Sequence, residues 1–354
     1  MKILEQALNK INGINKKQRD FFMVLVKSLI GSVGKKTFRN LARYANLTEH
    51  TFARQMAKVF DFVGLNTEII KASKVDGDML FAAQDSSFIK KAGKQTAGLD
   101  TFWNGCAGKA ERGLEIDAIA VIKLTGDKKE GYTLSAKQTP ADSASRIKRV
   151  KRKKDEPTRI DFYLDHVKQV LSQLLDLGVR YMVADAFFAK IKYVNGITSF
   201  GLHAISKLRK DARLTRLYTG PQKARGRKRK IDKHRIGIED FEDLVIVETD
   251  SGQVELLNCI AYSISLQRQI KVVLVRKKMG NKIGKVLLFS TDIEQDALQI
   301  YQFYVARFQI EFIFRDAKGF TGLNDCQSRD PRRLHYHFNA SLIALNFAKL
   351  QDHK

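Results

Sequence analysis

Three observations predict an α/β fold for this 354-residue chain, with a helical segment in front of a mixed sheet and a β-rich insertion inside it. Over residues 1–72 the apolar period is helical, and at Asp78 it gives way to short apolar or alternating runs. The order from there is three strands, a helix, a strand, a helix and a strand, which is an α/β order with a mixed sheet. After Leu208 the chain turns β-rich and basic for about 80 residues, set off by a basic loop, before helical periodicity returns at Glu294. The expected boundaries are therefore a helical domain over 1–75, a split α/β domain over 76–210 and 291–354, and a β-rich insertion over 211–290.

The helical segment begins with Lys17–Ile30, which ends at Gly31. Two short amphipathic helices follow, Thr37–Tyr44 and Thr51–Phe60, around Asn46-Leu47-Thr48. Thr48 or Glu49 can cap the second, so the pair resembles a helix-turn-helix, with an ordinary helical bundle as the alternative. Met79–Ala83 reads as a buried strand ending at Gln84-Asp85. Leu114–Leu124 and Tyr132–Thr139 continue as a meander. Phe162–Leu177 reads as one amphipathic helix ending at Gly178, and Arg180–Ala184 as a buried strand running into Asp185. Strands are expected at Gly201–Leu208, Leu244–Glu248, Val254–Ser263, Ile270–Arg276 and Val286–Phe289. One long helix is expected over Glu294–Lys318 and a last one over Arg332–Leu350.

Composition narrows the function classes. An apolar share of 44% with four prolines excludes disordered and collagen-like chains. The opening residues carry no apolar signal segment, and Phe21–Val26 falls far short of the ~20 residues that span a bilayer. Cys106, Cys259 and Cys326 are three, widely spaced, and suggest no disulfide framework. A soluble cytoplasmic protein with no membrane partner is expected.

The formal net charge is +25, and the cations are clustered. Arg146–Lys154 holds seven basic residues in nine, Lys223–Arg235 eight in thirteen, and Lys271–Lys285 six more among β-branched residues. Each run can neutralise several phosphates, and each can equally be a solvated loop. Three of them on one chain point to nucleic acid. Within the second, Arg225-Gly226-Arg227 resembles a minor-groove arm.

Asp85 and Asp185 stand at the ends of expected central strands, where open α/β sheets form their sites. An aspartate there is more often a turn or cap residue, but two on strands that can be neighbours are informative. On the expected long helix, Tyr304, Arg307, Glu311 and Lys318 fall within a stripe ~60° wide, with Arg315 beside them. A single acid flanked by Tyr, Arg and Lys suits a metal-ligating carboxylate whose neighbours grip phosphates; a surface ladder of ion pairs is the alternative.

Tyr304-x2-Arg307-x3-Glu311-x6-Lys318 resembles the Y-R-E-K signature of insertion-sequence family 4 transposases, cut-and-paste enzymes with an RNase H-like core. Ala184-Asp185-Ala186-Phe187-Phe188-Ala189-Lys190 is similar to that family's second-aspartate region. Gln84-Asp85-Ser86-Ser87, followed by Lys90-Lys91-x2-Lys94, is similar to its first. The resemblance covers about residues 78–320. It implies an RNase H-like catalytic core interrupted by the insertion, and DNA transposition by cleavage and strand transfer. It further implies that Asp85, Asp185 and Glu311 bind two Mg²⁺ ions, with Mn²⁺ able to substitute. All-oxygen ligands suit either metal, and two ions about 4 Å apart suit in-line displacement. Tyr304, Arg307 and Lys318 would hold the DNA end, with Lys90, Lys91 and Lys190 as further phosphate contacts. The implied partners are double-stranded DNA, as terminal inverted repeats and as target, and a second copy of the chain in the DNA complex; the implied location is cytoplasmic, on the nucleoid. Relatives stack a flipped base on an aromatic of the insertion, usually tryptophan. The single tryptophan here, Trp103, lies outside it, which leaves Tyr218 or Tyr262.

Two rival readings stand beside this one: a metal-dependent nuclease on the same core without strand transfer, and a non-catalytic DNA-binding protein. Other motifs are weaker. Gly31-Ser-Val-Gly34-Lys35-Lys36-Thr37 imitates a phosphate loop at the wrong spacing, and His335 and His337 are too close for a zinc finger. His166 and His203 are expected in the core or an interface rather than as general bases.

Overall fold

The computed structural model describes residues 1–142, 156–249, 252–279 and 282–352. The basic run 146–154 lies outside the described residues. The chain divides into two compact units, Met1–Val179 with Gln309–Lys354, and Arg180–Phe308.

The first unit opens with helices Lys2–Lys10, Lys16–Gly31, Phe38–Arg43, Glu49–Gln55 and Phe62–Ser73. Side chains start most of them. Asn15 and Gln18 form a reciprocal capping box, Thr37 and Thr48 accept from the amides of Asn40 and Thr51, and Asp61 accepts from Gly64. Their apolar faces meet the last helix, Pro331–Asp352, around Tyr336. Phe22 stacks on Phe60 at 4.5 Å, and Phe62 meets Tyr336 edge-on at 4.9 Å.

Four antiparallel strands follow: β1 (Met79–Lys90), β2 (Asp100–Asn104), β3 (Lys109–Thr125) and β4 (Lys128–Gln138). β3 pairs with all three others. A register shift on β4 leaves Leu134 as an extra residue, and Asn66 donates to its carbonyl at 2.9 Å. Asn346 bonds both backbone groups of Thr133, and Asn339 both of Ala136. These amides, two helical turns apart on the last helix, satisfy β4 backbone groups that β3 leaves open. Helices Arg159–Gln169, Leu171–Asp176 and Gln309–Gly319 complete the unit.

The second unit holds β5 (Tyr181–Ala184), helix Ile191–Ser199, β6 (His203–Lys207), β7 (Leu214–Leu217), β8 (Ile231–Arg235), β9 (Glu242–Thr249), β10 (Gly252–Ser263), β11 (Arg268–Met279), β12 (Lys282–Ser290) and helix Ala297–Ala306. β5 and β6 are parallel across the intervening helix, and β6-β12-β11-β10-β7-β8 continue antiparallel, with β9 on β10. The sheet is thus mixed, as the sequence predicts, and the class is α/β. Among the described residues no helix is long and apolar enough to cross a membrane.

Strands β2, β7 and β8 lie where none is expected, and three further elements differ from expectation. β1 continues to Lys90, so Asp85 lies inside a strand, paired with Ala118, and not at its end. The helix expected over Phe162–Leu177 is split at Val170, whose amide bonds Val167 three residues back. The long helix expected over Glu294–Lys318 is two helices: Phe308 bonds back to Val305, and the ladder restarts at Gln309. The stripe drawn from Tyr304 to Lys318 therefore does not lie on one helix.

Candidate active site

Of the three carboxylates that the sequence singles out, Asp85 and Asp185 each accept from a neighbouring backbone amide. Asp85 Oδ1 accepts from the Ser86 amide at 2.8 Å. Strand alternation puts Asp85 and Ser87 on one face of β1, with Gln84 and Ser86 on the other. Lys318 belongs to the helix Gln309–Gly319 and donates from Nζ to Ser87 Oγ at 2.8 Å; its burial lowers the ammonium pKa. Glu311 precedes Lys318 by seven residues, ~20° away around the same helix, and is half-buried. The helix bearing Glu311 is thus tied to the strand face bearing Asp85. Ile310, Ile313, Phe314 and Ala317 seat that helix. A Cβ on Gly131 of β4 would lie 3.1 Å from Gln309 Cβ and from Ile313 Cδ1, so the close approach depends on the glycine.

The opposite face of β1 is a buried polar fastener. Gln84 Nε2 donates to Asp117 Oδ2 at 2.8 Å and to the Tyr163 carbonyl at 3.2 Å. His166 meets Asp117 Oδ2 through Nδ1 at 2.6 Å and Ser135 Oγ through Nε2 at 2.8 Å, while Tyr163 donates to Glu115 Oε1 at 3.1 Å. The Ser-His-Asp spacing is that of a nucleophilic triad, but Ser135, His166 and Asp117 are only 3%, 1% and 0% exposed. Nothing can reach the hydroxyl, and the network fastens the helix Arg159–Gln169 to the sheet behind Asp85. Burial pushes both carboxyls, Asp117 and Glu115, above their ordinary range. The sequence signal for this fastener was two acids inside the apolar run Leu114–Leu124.

In the second unit Asp185 follows β5 and caps the short 3-10 turn Ala186–Phe188. Its Oδ1 accepts from the Phe187 amide at 2.9 Å, and its carbonyl accepts from Ser206 Oγ at 2.7 Å. Lys190 Nζ lies 3.6 Å from the Phe187 ring centroid. Burial lowers its pKa, and the Asp185 carboxylate acts the other way. Beside them is a cavity of about 430 Å³ lined by Phe187, Lys190, Leu208, Arg209, Arg213 and Ile264. Tyr304 lies in the last turn of the helix Ala297–Ala306, and the guanidinium of Arg307, its C-cap, lies 5.8 Å from the Tyr304 ring centroid.

Lys90 is exposed at the end of β1, whereas Lys91 turns inward and donates to the Cys326 carbonyl at 2.5 Å, its pKa lowered by burial. Lys36, in the phosphate-loop look-alike, also points inward, bonding the Ser32 carbonyl and hydroxyl. His203 is half-buried, 4.0 Å from Asp292. The Tyr218 ring carries the Arg229 guanidinium at 4.2 Å. Among the described residues, His234, Glu239 and Asp240 bring three metal-capable groups together. They sit at an open turn where Asp240 already accepts from the Gly237 amide and meets His234 and Arg216. That arrangement reads as a turn brace.

A family model described as a transposase DDE domain matches residues 164–347, and one described as a DDE superfamily endonuclease matches residues 4–245. The first spans Asp185 and Glu311, and the second Asp85 and Asp185. No curated protein matches the chain.

Proposed function

The chain belongs to the DDE transposase and endonuclease superfamily, and from that premise we propose that it is a cut-and-paste transposase of the insertion-sequence family 4 type. In this reading residues 1–75 bind DNA, residues 76–210 and 291–354 carry the chemistry, and residues 211–290 form the insertion. The catalytic carboxylates are Asp85, Asp185 and Glu311. The observation that carries the reading is the Lys318–Ser87 hydrogen bond, which ties the helix of Glu311 to the strand face of Asp85.

The donor set fits a hard divalent cation, since all three groups are carboxylates and Asp85 and Asp185 are each oriented through Oδ1. When bound, Mg²⁺ or Mn²⁺ supplies charge neutralisation for in-line displacement at a phosphodiester. The chain's own residues do the rest. Arg307, Lys318, Lys90 and Lys190 hold phosphate oxygens of the DNA end, and Tyr304 packs under Arg307. Lys91 secures the loop at Cys326. Two copies of the chain pair on the two element ends.

The test is a Mg²⁺-dependent cleavage assay on duplexes carrying the repeats that flank the gene, with Asp185→Asn and Glu311→Gln as controls. Cleavage at the element boundary, lost in both variants while end binding persists, supports the reading. Cleavage without joining to a target duplex supports a nuclease, for which the endonuclease match over residues 4–245 is the specific observation. Binding without cleavage in Mg²⁺ and Mn²⁺ overturns the catalytic assignment.

A further inference from the structure

We propose that the loop joining β7 to β8 is a preformed minor-groove probe whose Arg225-Gly226-Arg227 tip reads A·T-rich duplex DNA. The proposal rests on the reading of this protein as DNA-binding and names a contact outside the carboxylate site.

The neck of the loop is built. The Tyr218 amide donates to the Lys230 carbonyl at 3.1 Å, carrying the hairpin one step past the Leu217–Ile231 pair. Above it, the Gln222 side-chain amide acts as a substitute strand. Its Nε2 donates to the Arg229 carbonyl at 2.7 Å, and its Oε1 accepts from the Arg229 amide at 2.8 Å. The Arg229 guanidinium lies on the Tyr218 ring, donates from Nε to the Ile231 carbonyl at 3.0 Å and pairs with Asp232 at 3.0 Å. Tyr218 in turn donates its hydroxyl to the Pro221 carbonyl at 3.1 Å. The half-exposed Arg229 side chain is thus committed to the neck.

Residues 223–228, Lys-Ala-Arg-Gly-Arg-Lys, are all exposed, and no acid stands between Pro221 and Lys230. Gly226 has φ +96°, where an L side chain is strained, and nothing lies within 4 Å of the place its Cβ would take. The glycine is therefore required by the turn and not by packing. It also leaves the tip without a side chain between the two arginines. The minor groove is only ≈6 Å wide, too narrow for a decorated ribbon but open to a bare backbone flanked by guanidinium groups. A·T tracts narrow it further and deepen its negative potential, which attracts arginine. Guanidinium is also more weakly hydrated than ammonium, so entering the groove costs it less. A pure phosphate clamp needs none of this: charge alone serves. The fixed neck limits the ordering cost on binding.

The experiment uses the full-length protein without metal, titrated by fluorescence anisotropy with an A-tract duplex and a G·C duplex of equal length. Netropsin, a minor-groove ligand, is the competitor. The wild-type chain should prefer the A-tract by about fivefold or more, and netropsin should displace it. Arg225→Ala with Arg227→Ala should abolish the preference, with no change in melting temperature because both side chains are exposed. Arg225→Lys with Arg227→Lys should keep the salt dependence but lose the preference. Equal weakening on both duplexes with no netropsin competition would make the loop a phosphate clamp and overturn the proposal, as would an unchanged preference or tighter binding to single strands. Asp185→Asn should keep the A·T preference, so failure of the catalytic reading and failure of this one are separable.

Discussion

His337 is buried within the last helix, where it donates from Nε2 to the Gly322 carbonyl at 2.8 Å, while its Nδ1 meets no donor among the described residues. A second proton would sit on Nδ1 with no acceptor. Burial accordingly holds the imidazole pKa down to about 4, with the Gly322 carbonyl pulling the other way. Unfolded histidine titrates near 6.5, so between about pH 6.5 and 4 the unfolded chain takes up a proton that the folded chain refuses. Stability is full above that window and falls as pH drops through it, by on the order of 3 kcal/mol from this group. Burial lowers the His335 pKa too, in the same direction. His337→Gln keeps a donor for Gly322 and removes the titration. Melting temperatures measured from pH 4 to 7 should therefore change less steeply in the variant, and an unchanged slope would assign the acid sensitivity elsewhere.

At the level of elements, the seat of the helix Gln309–Gly319 on β4 depends on Gly131, because any Cβ there crowds Gln309, Ile313 and Ile122 at 3.1 Å. Gly131→Val should cost about 1–3 kcal/mol by overpacking. On the transposase reading it should also lower cleavage more than DNA binding, because it shifts the helix that carries Glu311 and Lys318; equal losses would mean that the helix tolerates displacement. The long strands and the helix capped by Thr48 were legible in the sequence, since apolar runs and a capping threonine act locally, whereas the short strands β2, β7 and β8 carry too few apolar residues to show a period. The break after Ala306 was not legible: Val305-Ala306-Arg307-Phe308-Gln309 contains no glycine or proline, and local propensity permits a continuous helix. Nor was the length of β1. Asp85-Ser86-Ser87 reads as a strand end, yet β3 pairs with it as far as Lys90. The acids Asp85, Asp185 and Glu311 could be nominated from sequence because each stands out in its own segment. Of the Asp117–His166–Ser135 fastener only the acid stood out, inside an apolar run; its partners could not be named, because folding alone brings the three segments together.

For the molecule as a whole, the proposed DNA binding, with a formal charge of +25 behind it, should depend on ionic strength. If six to ten phosphates are neutralised, affinity should fall about 10³–10⁵-fold between 50 and 200 mM salt, read as a linear log–log plot. A shallow slope would mean that the exposed cations of 223–230 and of β11–β12 face solvent in the complex. The two faces of β1 carry a different consequence, one for inheritance. A strand alternates with a period of two, so a single inserted codon between Met79 and Asp85 keeps a strand of similar length while turning the carboxylate into the Gln84–Asp117–His166 layer. The basic loop has no such parity: codons gained or lost beside its Arg225-Gly226-Arg227 tip change its reach and leave its neck in place. On the transposase reading, frame-preserving insertions and deletions should therefore accumulate in the loop on either side of that tip and be purged from β1 wherever the element still moves. A lineage that has lost mobility would show its first one-codon insertions in the strand, in chains that still bind DNA.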